Sequence, residues 1–166
     1  MAGINNAILD IKNIIQSSYG FCRIFNNQFK YMEQGKIESF PFPCFFVEVQ
    51  MNQNHSQLSS GFTESDVTFK IHIGQTEYDS VDGTLEENKS IFSLRDSIVR
   101  LLTYYKPSGC SRLMKVSEQQ DYEHTDVYHY IIDFQCSLID TTGGEAFNYV
   151  NPPVQLIVTA TPQITI

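Results

Sequence analysis

At 166 residues the chain fits one domain, and a chain of this size buries roughly 68–70% of its extended surface, enough for a core without disulfide or metal. Hydrophobic residues at 42% and charged residues at 18% exclude a disordered chain. A formal net charge of −8, with Lys12, Arg23, Lys30 and Lys36 scattered and no basic block, argues against binding along nucleic-acid phosphates.

Cys22, Cys44, Cys110 and Cys136 lie far apart with no C-x-x-C pair, so they read as reduced thiols packed as small hydrophobes. The start, Met1-Ala2-Gly3-Ile4-Asn5-Asn6, lacks the basic and apolar regions of a signal peptide. No stretch approaches the ~20 apolar residues of a membrane span. The expectation is a protein made in a reducing cytoplasm.

In chain order, Ile4, Ala7, Ile8, Ile11, Ile14 and Ile15 recur at helical spacing, with Asp10, Lys12 and Asn13 opposite. The spacing predicts an amphipathic helix that ends near Gly20. Cys22–Phe25 reads as a short strand and Asn26-Asn27 as a turn. Phe40-Pro41-Phe42-Pro43 is an extended lead-in, because two prolines remove donors and fix φ. From Cys44 to Met51 the alternation of Phe45, Val47, Val49 and Met51 against Phe46, Glu48 and Gln50 predicts a half-buried strand.

Residues 52–65 are Ser/Asn-rich and centred on Ser60-Gly61, and they read as a long hairpin loop or flap. The returning strand places Val67, Phe69, Ile71 and Ile73 on one face, with Thr68, Lys70 and His72 on the other. His55 and His72 read as solvated. Thr84-Leu85-Glu86-Glu87 matches a capping box ahead of the helical stripe Ile91, Leu94, Ile98, Leu101, Leu102 and Tyr105. Lys106-Pro107-Ser108-Gly109 stops that helix.

A strand follows around Arg112–Ser117, then an acidic stretch Glu118–Asp126. A long strand Val127–Asp140 comes next, with Tyr128, Tyr130, Ile132, Phe134, Cys136 and Leu138 on one face. Thr141-Thr142-Gly143-Gly144 marks a boundary. Beyond it, Val154-Gln155-Leu156-Ile157-Val158-Thr159 favours β structure but is flanked by Pro152, Pro153 and Pro162. An apolar terminal strand left bare would invite aggregation, so it either closes its own sheet or adds a strand to a neighbour.

The order of elements predicts an α+β fold: a mostly antiparallel sheet with two main helices packed on one face, plus an extended C-terminal arm. The division is a compact domain over 1–141 and an arm over 142–166. The interface residues expected on the arm are Val154, Leu156, Ile157, Val158, Ile164 and Ile166.

The motifs of nucleotide-binding loops, serine hydrolases and zinc proteases do not occur. The one cluster with catalytic or metal-ligating residue types is Asp121-Tyr122-Glu123-His124-Thr125-Asp126-Val127-Tyr128-His129. In an extended segment His124 and His129, an odd number apart, would point to opposite faces. His124 and Asp126 would share a face, but two ligands do not make a zinc site. The cluster therefore reads as a solvated polar lead into a strand, and no catalytic residue, metal ligand or cofactor is assigned. Cys110 lacks surroundings that would activate a thiol.

Four segments taken together, 40–48 (Phe40-Pro41-Phe42-Pro43-Cys44-Phe45-Phe46-Val47-Glu48), 67–73, 88–98 (with Ile91-Phe92, Leu94, Asp96 and Ile98) and 127–134, resemble the small tail-terminator and neck-ring proteins of tailed bacteriophages, including the neck rings of crAss-like phages. The resemblance is one of order and spacing over roughly residues 1–141, and the tail after Gly143 departs from it. It implies a structural virion protein, assembled in the host cytoplasm, that forms a homo-oligomeric ring of six or twelve subunits in the neck or tail. Its partners would be copies of itself and adjacent portal, connector or tail proteins, with DNA passing an acidic lumen without specific binding and no membrane contact. Two other readings compete with it. One is a small metal-binding protein or enzyme using the Asp121–His129 cluster. The other is an adaptor or chaperone that takes an extended peptide at its sheet edge.

Overall fold

A computed structural model of the chain describes residues 3–59, 61–76, 89–124 and 127–143. The elements are α1 (Ile4–Tyr19), β1 (Cys22–Ile24), α2 (Gln28–Glu33), β2 (Cys44–Ser59), β3 (Phe62–Gln75), α3 (Lys89–Leu102), β4 (Met114–Asp121) and β5 (Tyr128–Asp140). The strands form one sheet in the order β1-β2-β3-β5-β4. β1 lies parallel to β2, and every other pairing is antiparallel. The fold is α+β, as the sequence predicts.

One face of the sheet carries the main core. The register sets Phe45 opposite Ile73, Val47 opposite Ile71, and Phe69 opposite Phe134, so that period-two alternation brings these side chains onto a common surface. Ala7, Ile11 and Ile15 of α1 and Ile91, Ile98 and Leu102 of α3 are buried against it. Each fully buried side chain of this size contributes about 1.5–3 kcal/mol relative to exposure. That burial offsets the modest helix propensity of the isoleucines in α1. The helix ends where Gly20 takes φ 79° and returns its N–H to the Gln16 carbonyl, a left-handed cap that suits glycine. Arg95 of α3 grips Glu118 of β4 through two 2.6 Å hydrogen bonds and so ties the second helix to the sheet edge.

The opposite face is covered over part of its area by α2, an element absent from the sequence reading. Phe29 of α2, Phe40, Cys44, Phe46 and Val127 form a second buried cluster there. The first residues of β2 are therefore covered on both faces, not half-buried, whereas Met51 farther along is exposed.

Three other expectations change. Residues 52–65 are not a long loop: β2 runs to Ser59 and β3 begins at Phe62, with Gly61 before it at φ 80°. Backbone hydrogen bonding does not require apolar side chains, and this part of β3 is pinned on its far side by β5, with Ser65 opposite Leu138. His72 is not solvated; it is 2% exposed. The Asp121–His129 cluster is not simply a solvated lead into a strand: Asp121 ends β4 and pairs with the buried His129 of β5.

The capping box at Thr84–Glu87 lies outside the described residues. So do the arm residues Val154, Leu156, Ile157, Val158, Ile164 and Ile166. Among the described residues no helix is long and apolar enough to cross a membrane.

Candidate functional site: a buried histidine–carboxylate chain

The sheet face beneath α2 is polar at its centre. Strand alternation points Glu48 of β2, His72 of β3 and His129 of β5 toward this face, and the Asp121–His129 pair brings Asp121 alongside. After Asp121 the chain leaves β4, and the Glu123 N–H donates to Asp121 Oδ1 at 2.9 Å in a tight turn. That turn carries His124 back over the same face, next to Glu33 of α2.

A continuous row of contacts results. Glu48 Oε2 lies 2.9 Å from His72 Nε2, and His72 Nδ1 lies 2.9 Å from His129 Nε2. His129 Nδ1 lies 2.9 Å from Asp121 Oδ2. His124 Nε2 stands 4.0 Å from the same Asp121 Oδ2, while its Nδ1 is 3.2 Å from Glu33 Oε2. Aromatic rings wall the row. Phe25 stacks on His72 at 3.7 Å between centroids, and the Phe29 ring lies 4.7 Å from His129 and 5.5 Å from His124.

The electrostatics follow from this enclosure. Burial, with the neighbouring His129 ring and Lys70 adding repulsion, pushes the His72 pKa down to about 3. Burial also brings His129 down to about 4, opposed by Asp121 and assisted by His124. Both rings are therefore neutral near pH 7, and a neutral imidazole carries one N–H.

Two rings supply two protons to the three contacts between Glu48 and Asp121. If His72 Nε2–H donates to Glu48 and His129 Nε2–H donates to His72, then His129 Nδ1 faces Asp121 Oδ2 with a lone pair. In the reverse tautomers the unmatched contact moves to Glu48 and His72. One position in the row therefore calls for a further positive partner, either a proton or a cation.

Of the sequence cluster, the structure brings together Asp121, His124 and His129, whose ligating atoms all lie within 4.8 Å of one another. Glu123 is exposed, and Asp126 lies outside the described residues. Reasoning along the sequence missed Glu48, His72 and Glu33, because they converge only through strand pairing and α2. The available signal was that Glu48 and His72 share the polar parity of two strands whose other parity is core. His55 is exposed, as read from the sequence. All four cysteines are free and buried. Burial raises the Cys22 thiol to about 12 and pushes Cys44 up as well, so neither is an activated nucleophile. The sequence matches no protein-family model and no curated protein.

Proposed function

We propose that this chain is a structural subunit of a tailed-bacteriophage virion, assembling as a homo-oligomeric ring in the neck or tail that joins the tail to the portal or connector. The observation that carries the reading, beside the resemblance of residues 1–141, is an open sheet edge on a long hairpin. β2 has sixteen residues, yet β1 flanks it only at Phe45, Phe46 and Val47. Beyond Val47 no strand lies on the outer side of β2 among the described residues. Met51 is 40% exposed, Leu58 52% and Phe62 39%, so this hairpin also presents apolar side chains to solvent. Long, partly apolar edges are aggregation hazards unless a partner covers them. Pairing with an identical neighbour around a closed ring covers each of them in turn.

The arm over 142–166, with Val154, Leu156, Ile157, Val158, Ile164 and Ile166, is the segment proposed to add a strand to that neighbour or to a stacked connector protein. The charge of −8 suits a ring lumen past which DNA slides without adhering. The chain acts by assembly and not by catalysis.

The test is light scattering and negative-stain electron microscopy of the purified protein, alone and mixed with any portal or connector proteins encoded near its gene. A ring in either preparation supports the proposal. A strict monomer in both overturns it. Capture of an extended peptide along β2 without self-association would favour the adaptor reading instead.

A further inference from the structure

We infer that Asp121, His124 and His129 bind one divalent first-row transition-metal ion, zinc by preference, with His72, Glu48 and Glu33 holding the two histidine ligands in place. The ligand set is two imidazole nitrogens and one carboxylate oxygen. That set suits zinc and its neighbours, and is too rich in nitrogen for calcium or magnesium. Zinc sites with ligand bonds of about 2.0–2.1 Å have neighbouring ligand atoms roughly 3.3–3.5 Å apart. The distances here, 2.9 Å for Asp121 Oδ2 to His129 Nδ1, 4.0 Å to His124 Nε2 and none above 4.8 Å, bracket that range. Small side-chain rotations close the set.

The surrounding hydrogen bonds point the same way. A metal-bound histidine ligates through one nitrogen and donates the N–H of the other to a carboxylate or another acceptor. Both histidines have such a partner. With the ion on His124 Nε2, the Nδ1–H donates to Glu33 Oε2. With the ion on His129 Nδ1, the Nε2–H donates to His72 Nδ1, and His72 Nε2–H donates to Glu48 Oε2. With the ion in place, every nitrogen of the three rings has one role. A polar solvated cluster would not need a second imidazole and a second carboxylate behind its buried member. The apolar wall of Phe29 adds the low-dielectric shell usual around such sites.

An ion here would join α2, β4 and β5 at one point. The three protein ligands leave a fourth position for water or for a side chain brought by a neighbour.

The experiment uses tag-free full-length protein, stripped with chelator and titrated with Zn²⁺ by calorimetry and with Co²⁺ by visible absorption. The expected result is one equivalent bound with a Kd of about 1 µM or tighter, and a higher Tm for the loaded form. Asp121→Asn and His124→Gln should each abolish saturable binding. His72→Phe, which touches no ion, should weaken it by about 10–100-fold. His55→Ala, at an exposed position, should leave it unchanged. Circular dichroism shows whether each variant is folded; Asp121 and His124 sit at the accessible rim, with side chains 21% and 10% exposed, and tolerate substitution better than the buried His129. Absence of saturable binding by the unmodified protein would overturn the inference and leave a proton as the occupant. Undiminished binding by folded Asp121→Asn and His124→Gln would equally overturn it, by placing the metal elsewhere.

Discussion

Gly74 is the position at which the packing of α2 on the sheet can be tested. It lies in β3, opposite Cys44 on one side and His129 on the other. A Cβ built there would stand 2.6 Å from Phe29 Cε1, 2.7 Å from Phe29 Cζ and 2.7 Å from Cys44 Sγ. Ordinary contacts between carbon atoms fall at about 3.5–4.0 Å, so Gly74→Ala forces the Phe29 ring back by about 1 Å.

Phe29 is fully buried, with Phe40 and Phe46 around it, and cannot retreat freely. Overpacking of this kind costs about 1–3 kcal/mol. Replacing a strand glycine by alanine returns about 0.5–1 kcal/mol, so the net loss should be about 1–2 kcal/mol. For a chain of this length that is a fall in Tm of roughly 3–7 °C. With no Trp in the chain, urea unfolding is best followed by circular dichroism. The decisive comparison repeats the substitution in a Phe29→Ala background, which alone should cost about 3–5 kcal/mol. With the ring gone the nearest remaining atom of the three is the Cys44 sulfur, which a χ1 rotation moves. Gly74→Ala should then cost close to nothing, giving a coupling of about 1–2 kcal/mol. Equal costs in both backgrounds would refute the claim that Gly74 exists to seat Phe29.

Glu118, gripped by Arg95 and Lys115, has its pKa lowered to about 2. A depressed carboxylate stabilises the fold above its unfolded value and loses that stabilisation as pH falls through the folded one. Glu118→Gln should therefore lower stability by about 1 kcal/mol at pH 7, after allowance for solvent screening, and the urea midpoints of variant and parent should converge between pH 4.5 and 2. All four thiols are buried, so alkylation at pH 8 should label none quickly in the native protein and all four in denaturant; rapid native labelling at any of them would contradict the packing. Leu58→Asp on the exposed hairpin should change monomer stability by no more than about 0.5 kcal/mol, yet abolish ring assembly. Rings formed normally by that variant would remove the hairpin from the interface.

What the sequence disclosed depended on whether the signal was local. The stripe Ala7, Ile11 and Ile15, the Gly20 cap, and the alternations in β2, β3 and β5 are periodic patterns within single elements, and the structure keeps each of them. α2 escaped notice because six residues, Gln28–Glu33, are too few to show a helical period, and only Phe29 among them is buried. The polar run 52–65 hid a strand because its pairing is supplied by backbone hydrogen bonds, which composition does not report. The histidine row was the least legible feature. Glu33, Glu48, His72 and Asp121 come from four elements, and nothing short of the β2–β3, β3–β5 and β4–β5 registers brings them together. His124 and His129 meet for a topological reason, because the chain turns after Asp121 instead of running extended.

The two faces of the sheet therefore have different work. The face under α1 and α3 is aliphatic and aromatic, is filled by long-range packing, and supplies most of the hydrophobic stabilisation. The face under α2 is a small aromatic ring wall around a polar row, and α2 is too short to be stable without tertiary support. Such a helix is held by what its side chains touch. Phe29 fills the notch above Gly74, and Glu33 meets His124. If an ion bridges Asp121, His124 and His129, it fixes His124 and with it the 3.2 Å contact to Glu33 of α2. Chelation should accordingly loosen α2 while leaving α1 and α3 in place. Hydrogen exchange resolved by segment would show this as faster exchange over 28–33 alone, and uniform loosening across the sheet would contradict it.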